Sequence, residues 1–467
     1  DHDVSDDWNL NQAWCLRVFG KPLGRQVVRN ALLAYAIFQG WGNTPEQFSL
    51  ERPGHRLLAA TEAWCQAGAK HPTALVEIIQ ALGLPQIDPL TDLPQFRQEE
   101  NCLVLDRPQN CLEWHYRIPA GAHETIVLDT RTQRGYPISG TLDAPPQLLS
   151  PEAYRQQLLP MLQATEQENR SHPIALTLVV APTNVFTLEI LDLLHVLGQL
   201  QNKAFEIDIG DSWNLEGSSR SQLLQVLFRA RQQIIVLSGD IHFGAALRVD
   251  YWSALTGDPL ALPRSQQPPD ACLVQLTASA ICNSEPIAEL LQTRLKSLFP
   301  ERSRYWIGQQ PHLTELEITP SLGRSLGWIW NRLIHRSRWQ ADQQIDRQSP
   351  QSPKPAAVWG YRSQWLRHQP TQNLIWDRPP AWLRHAILAQ SIPDQVWQRL
   401  WQKVWQSLWL QEGKEVVGLN NIGLIQFDWP SLSESPPTVI YDLYWYAPWH
   451  MIQIVYSRYQ TKLQPRK

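Results

Sequence analysis

QQIIVLSGDIHFGAAL, residues 232–247, begins as a strand and ends as chemistry. Ile234 to Leu237 are four consecutive apolar residues, three of them β-branched, a run that suits a strand covered on both faces. Ser238 and Gly239 stop the pattern, and Asp240-Ile241-His242 follows. In open α/β sheets, ligands gather at the carboxyl ends of strands. Two residues apart in extended backbone, Asp240 and His242 would leave the same face, where a carboxylate and an imidazole can share a metal ion. The competing reading is a Gly-Asp turn followed by a hydrogen-bonded core histidine.

Outward from this stretch the pattern alternates. Residues 151–168, 185–200 and 218–231 read as helices and 174–181, 233–238 and 272–279 as strands, an order that predicts a layered α/β domain. The polar loop IDIGDSWNLEGSSR (207–220) lies among them. Upstream, residues 10–42 read as helix, with Val28, Leu32, Tyr35 and Phe38 on one apolar stripe ended by Gly40 and Gly42. Residues 52–83 read as further helix, reopened by Pro72 and closed by Gly83. LEWHYRI (112–118) and ETIVLDTRT (124–132) read as an antiparallel pair.

The 467 residues suffice for two or three domains. A net charge of −3 gives no electrostatic case for nucleic acid or an anionic membrane. No apolar run has the length of a transmembrane segment, and no signal peptide precedes the first helix, so the compartment, cytoplasmic or exported, stays open. The six cysteines show no zinc-type spacing and read as reduced thiols.

A second constellation stands at the start of the chain: DHDVSDDWNLN, with four aspartates and a histidine in seven residues. It is either an acidic turn capping the helix near Asn11 or a set of hard oxygen ligands beside an acid/base histidine. Together, DHDVSDDWN and VLSGDIHFG resemble the PhoD-like (alkaline phosphatase D type) branch of the calcineurin-like metallophosphoesterases. VLDTRTQRGY (127–136) is similar to that branch's Asp-Thr-Arg-x-x-Arg segment. GDSWNLEGSSRSQLL (210–224) is similar to its Asp-x-Trp loop and the helix after it. The four stretches occur in family order over roughly residues 1–285.

The resemblance implies metal-dependent phosphoester hydrolysis within a layered α/β sandwich. Asp1, Asp240 and His242 match metal ligands, and His2 matches the histidine that faces the phosphate and acts as general acid. Arg131, Arg134, Asp211 and Trp213 match positions lining the substrate site, although a strand-end salt bridge to Asp129 would account equally for the arginines and structural capping equally for Asp211 and Trp213. The implied cofactors are divalent or trivalent metals, Fe, Mn or Zn and also Ca; the implied partner is a phosphoester, monoester or diester. The family's Asp-x-His and Gly-Asp-x-x-Asp motifs lie upstream of the histidine motif, within which this chain begins. The resemblance therefore implies an N-terminally truncated member, with negligible hydrolysis by residues 1–467 alone.

Fifteen of the 22 tryptophans follow residue 300. The expected organisation is a metallophosphatase domain over 1–285, a helical extension and Gln/Ser/Pro-rich linker over 286–355, and a Trp-rich α+β region over 356–467. VWQRLWQKVWQSLWL sets Trp397, Trp401, Trp405 and Trp409 on one helical face, expected to be buried against the two β-like segments that follow. The rival reading is a noncatalytic binding or scaffold protein working through this end.

Overall fold

Pro22 decides where the first helix breaks. A residue before proline is driven to extended backbone, and Lys21 adopts φ −128° and ψ 136°. The helix expected over 10–42 is accordingly two, Gln12–Phe19 and Pro22–Tyr35. Asn11 caps the first, its Oδ1 accepting from Trp14 N at 2.8 Å. The second runs through a wide π turn, Ala36–Gly40, to Asn43, so Gly40 and Gly42 do not end it. The wide turn also shifts the stripe: Val28, Leu32, Ala36 and Gly40 are buried, whereas Phe38 is 84% exposed.

This is a computed structural model, and it describes residues 8–138, 140–168, 174–189, 191, 211, 213, 217–239, 241–254, 268–282, 286–294, 296, 301, 303–309, 314–318, 358–369, 412–429, 437–447 and 453–463. The chain is mixed α/β and forms two compact units. One comprises Asp1–Ile174, Val179–Pro182 and Leu194–Arg220; the other comprises Ala175–Leu178, Thr183–Leu193 and Ser221–Lys467.

In the first unit the helices Pro53–Gln66 and Pro72–Leu82 pack with the N-terminal pair around Trp14, Phe19, Val28, Leu32, Leu57, Ile78 and Leu82. Gly83 ends the second of them in left-handed backbone, φ 71°, a conformation that glycine adopts without Cβ strain. β1 (Phe96–Glu99), β2 (Cys102–Leu105) and β5 (Tyr136–Pro137) make a small antiparallel sheet. β3 (Tyr116–Ala120) and β4 (His123–Val127) form the expected hairpin, but the turn is shorter than expected, Gly121-Ala122 alone. Leu112–His115 stay outside the ladder. A helix opens at Ser150, whose hydroxyl caps Ala153 N, and runs to Glu168 through a π turn, Tyr154–Leu158.

The strand expected at 174–181 is β6 (Leu176–Val180). The second unit holds a large mixed sheet. β7 (Gln233–Ser238) is parallel to β9 (Ala271–Thr277), which is antiparallel to β8 (Ala245–Trp252). β12 (Val358–Trp365), β10 (Arg304–Gln309) and β11 (Thr314–Ile318) continue from β8 in antiparallel order. Ile234, Ile235 and Val236 are fully buried, as the run at 234–237 requires. A separate sheet joins β13 (Asn421–Asp428), β14 (Thr438–Ala447) and β15 (Gln453–Lys462). The last of the two β-like segments is thus itself a hairpin. Val439, Tyr441, Leu443 and Trp445 share a core with Leu176, Ile235, Val274 and Leu276. The linker at 340–356 and the Trp397–Trp409 stripe lie outside the described residues. Among the described residues no helix is long and apolar enough to cross a membrane.

β8 is buried along its whole length although it carries Arg248 and Asp250. The two charges answer each other: Asp250 accepts from Arg248 at 2.8 Å and from Arg362 of β12 at 2.5 Å. Arg248 also donates to the carbonyl oxygen of Lys462. Removing one member of such a group strands the others without counter-charge. Asp250→Ala should therefore lower the unfolding free energy by about 3–5 kcal/mol, read as a lower midpoint in urea denaturation.

Candidate functional site

β7 ends beside β9 as a parallel pair, just before the first candidates in sequence. There Ser238 Oγ lies 2.9 Å from Thr277 Oγ1 at the end of β9. Beyond Gly239 the chain bends, and His242 has left-handed backbone, φ 57°. The extended backbone expected at His242 is thus replaced by a bend, because β7 stops at Ser238 and the chain must reverse into β8. The turn is pinned by paired hydrogen bonds between Gly244 and Val417, both 2.8 Å. A Cβ on Gly244 would meet Leu443 Cδ1 at 2.5 Å, so a side chain there would force Leu443 to move.

His242 is partly exposed on this turn. An imidazole at such a strand end has the chemistry of a first-row transition-metal ligand. Asp1, His2 and Asp240 lie outside the described residues. Among the described residues, no group of three His, Cys, Asp or Glu side chains could hold a metal.

The first unit brings three of the other candidates into direct contact. Arg131 Nη2 donates to Asp211 Oδ2 at 2.6 Å, and Arg134 Nη2 donates to Asp211 Oδ1 at 2.5 Å. All three side chains are buried. Burial pushes the Asp211 carboxyl up, but Arg134 and Arg131 together outweigh it and hold the group below its ordinary range. Trp213, two residues on, is fully buried, and its indole N–H has no hydrogen-bond partner among the described residues.

Both arginines also grip the chain behind the N-terminal cluster. Arg131 Nη1 donates to Trp8 O at 2.9 Å, and Arg134 Nη1 donates to Asn9 O at 3.1 Å and Leu10 O at 3.3 Å. Asn9 Nδ2 returns a bond to Arg131 O at 3.1 Å. Asp129 is not the arginines' ion partner. Its Oδ1 accepts from the backbone N–H of Arg131 and Thr132, at 3.0 and 2.9 Å, and its Oδ2 accepts from the Thr132 hydroxyl. This is the local side-chain-to-backbone turn that aspartate favours.

Several supporting residues have no sequence signal. Gln157 brackets Asp129, accepting from its N–H and donating to its carbonyl, both at 3.1 Å. Tyr136 donates to Asn9 O at 3.3 Å and accepts from Cys15 Sγ at 3.2 Å. Burial pushes the Cys15 thiol up to about 12, so it stays protonated as a donor. A glutamine inside a helix and a cysteine on a core stripe are indistinguishable from ordinary helical residues until the fold brings their partners. Compared with known protein families, with curated proteins and with solved structures, the chain finds no match in any of the three.

Asp211→Asn keeps the shape but leaves two buried guanidinium groups without counter-charge, and should cost about 3–5 kcal/mol at pH 7. Because the folded-state pKa is depressed, the carboxylate's contribution is complete above the unfolded value, about 3.9, and is lost as pH falls through the folded one. The stability gap between the parent and Asp211→Asn, followed by denaturant titration, should hold from pH 7 to 5 and narrow below about pH 4.

Proposed function

We propose that the protein is a PhoD-like metal-dependent phosphoester hydrolase, its residues 1–285 belonging to the layered α/β sandwich of the metallophosphoesterases. One observation carries the reading. Segments similar to the family's Asp-Thr-Arg-x-x-Arg and Asp-x-Trp elements, some 77–80 residues apart, meet through Arg131, Arg134 and Asp211. The same arginines hold Trp8–Leu10, immediately behind the Asp1–Asp7 cluster. Three stretches that resemble one family are thereby tied by hydrogen bonds, which chance likeness of short motifs would not arrange.

In this reading Arg131 and Arg134 are positioning residues rather than direct phosphate ligands. Their forks are engaged by Asp211 and by main-chain oxygens, and they fix the path of the chain leaving the N-terminal cluster. Asp1, Asp240 and His242 would hold the metal, of the Fe, Mn, Zn or Ca type. When bound, such ions supply Lewis-acid stabilisation of phosphoryl oxygens and lower the pKa of a bound water. His2 gives its proton to the leaving oxygen of the ester. His242, held by a turn that Gly244 and Val417 lock, has its backbone arranged before any ligand arrives.

The test reads metal binding and hydrolysis separately. Mn²⁺ or Zn²⁺ should bind and raise the melting temperature, and His242→Ala and Asp240→Ala should each weaken that binding by at least about tenfold, the loss that even an outer-shell substitution produces. In a chain that also carries the family's Asp-x-His and Gly-Asp-x-x-Asp motifs upstream, metal-dependent hydrolysis of p-nitrophenyl phosphate or its bis-ester should disappear in His242→Ala and with chelator. Metal binding and hydrolysis indifferent to both substitutions would overturn the reading.

A further inference from the structure

A cleft of about 940 Å³ opens in the first unit, within the range of roughly 300–1,000 Å³ usual for small-molecule sites. One wall is Leu112–His115, which has no sheet partner and is held by side chains instead. Gln47 clamps Glu113, donating from Nε2 to its carbonyl at 2.9 Å and accepting from its N–H at 2.8 Å. Arg56 Nη2 fixes the adjoining turn through Asn110 O at 2.7 Å. These bonds give the cleft a set shape.

Its charges are not balanced within it. Arg107 donates to Gly83 O at 2.9 Å, Thr132 Oγ1 at 2.8 Å and Leu112 O at 3.2 Å, all neutral acceptors. The bonds aim the guanidinium without cancelling its charge. Arg52 occupies the N-cap of the helix Pro53–Gln66, makes no side-chain cap and lines the same cleft. The helix start therefore adds the positive end of its dipole. His115 lines the cleft, is 8% exposed, and its Nδ1 has no hydrogen-bond partner among the described residues. Its Nε2 lies 3.7 Å from Glu113 Oε2. Burial pulls the His115 pKa down and Arg107 adds to the effect, against Glu113 and Asp129, so the ring is neutral near pH 7. The acids of the lining are Glu46, Asp106 and Glu113, of which Glu46 and Glu113 are exposed.

We infer that this cleft binds a small organic phosphate, its phosphoryl group on Arg107 and Arg52 and a polar group of its organic part on His115. Two guanidinium forks beside a helix start suit a dianion, and the volume exceeds what a bare phosphate fills. The site owes nothing to the metal ligands proposed above.

Calorimetric titration with glucose 6-phosphate and adenosine 5′-monophosphate tests it, with EDTA throughout so that no metal contributes. At least one should bind with a Kd below about 1 mM. Arg107→Gln should weaken that binding at least about tenfold and the exposed Arg52→Gln at least about threefold. Arg52→Gln, at an exposed N-cap that makes no side-chain cap bond, decides the matter where Arg107→Gln loses its melting transition. Absence of binding by both compounds, or equal affinity in Arg52→Gln and the parent, would overturn the inference.

Discussion

A carboxylate removed from water between two guanidinium groups is stable only where its partners are themselves held, and Asp211 meets that condition. Arg131 and Arg134 are tied to the carbonyls of Trp8, Asn9 and Leu10 as well as to Asp211. Desolvating three charges is costly, and the added hydrogen bonds offset that cost. The geometry they impose is specific. A loop residue far along the chain, the strand-end turn at Asp129 and the segment behind the N-terminal aspartates must all be in register before any of these bonds forms. The path of Trp8–Leu10 thus depends on one buried charge.

The second unit uses the same device in its sheet. Asp250 stands between Arg248 and Arg362, and Arg248 reaches β15 through Lys462. Apolar packing alone does not specify which strand lies beside β8, since any β-branched strand would fill the space comparably. A buried carboxylate with two arginine partners accepts only the register in which all three meet. Aromatic packing then fills the remaining space: Trp359, Tyr361 and Trp306 stack along β12 and β10.

Sequence periodicity was sufficient where the apolar pattern is continuous and turn residues mark its ends. The strand at 233–238, the helices at 53–66, 72–82 and 217–230, and the hairpin after Tyr116 all follow from local pattern and turn chemistry. It was insufficient where a charge is neutralised from afar. β8 is not legible in the sequence because Arg248 and Asp250 interrupt its apolar run, and a buried charge looks like a surface charge until its partner is known. Phe38 failed for a different reason: a π turn alters the period itself, and no residue type announces one.

The sequence by itself determined that the chain is α/β, where β7 ends, and which arginines, aspartates and histidines are worth asking about. Tertiary structure alone decided what those residues do to one another. It assigned the two arginines to Asp211 instead of Asp129, bent His242 out of the extended line, and set Arg107 on neutral acceptors beside a cleft. The reason is range. Helix and strand preferences act over a few residues, whereas a charge in a dry interior is satisfied by whichever opposite charge the whole fold carries to it.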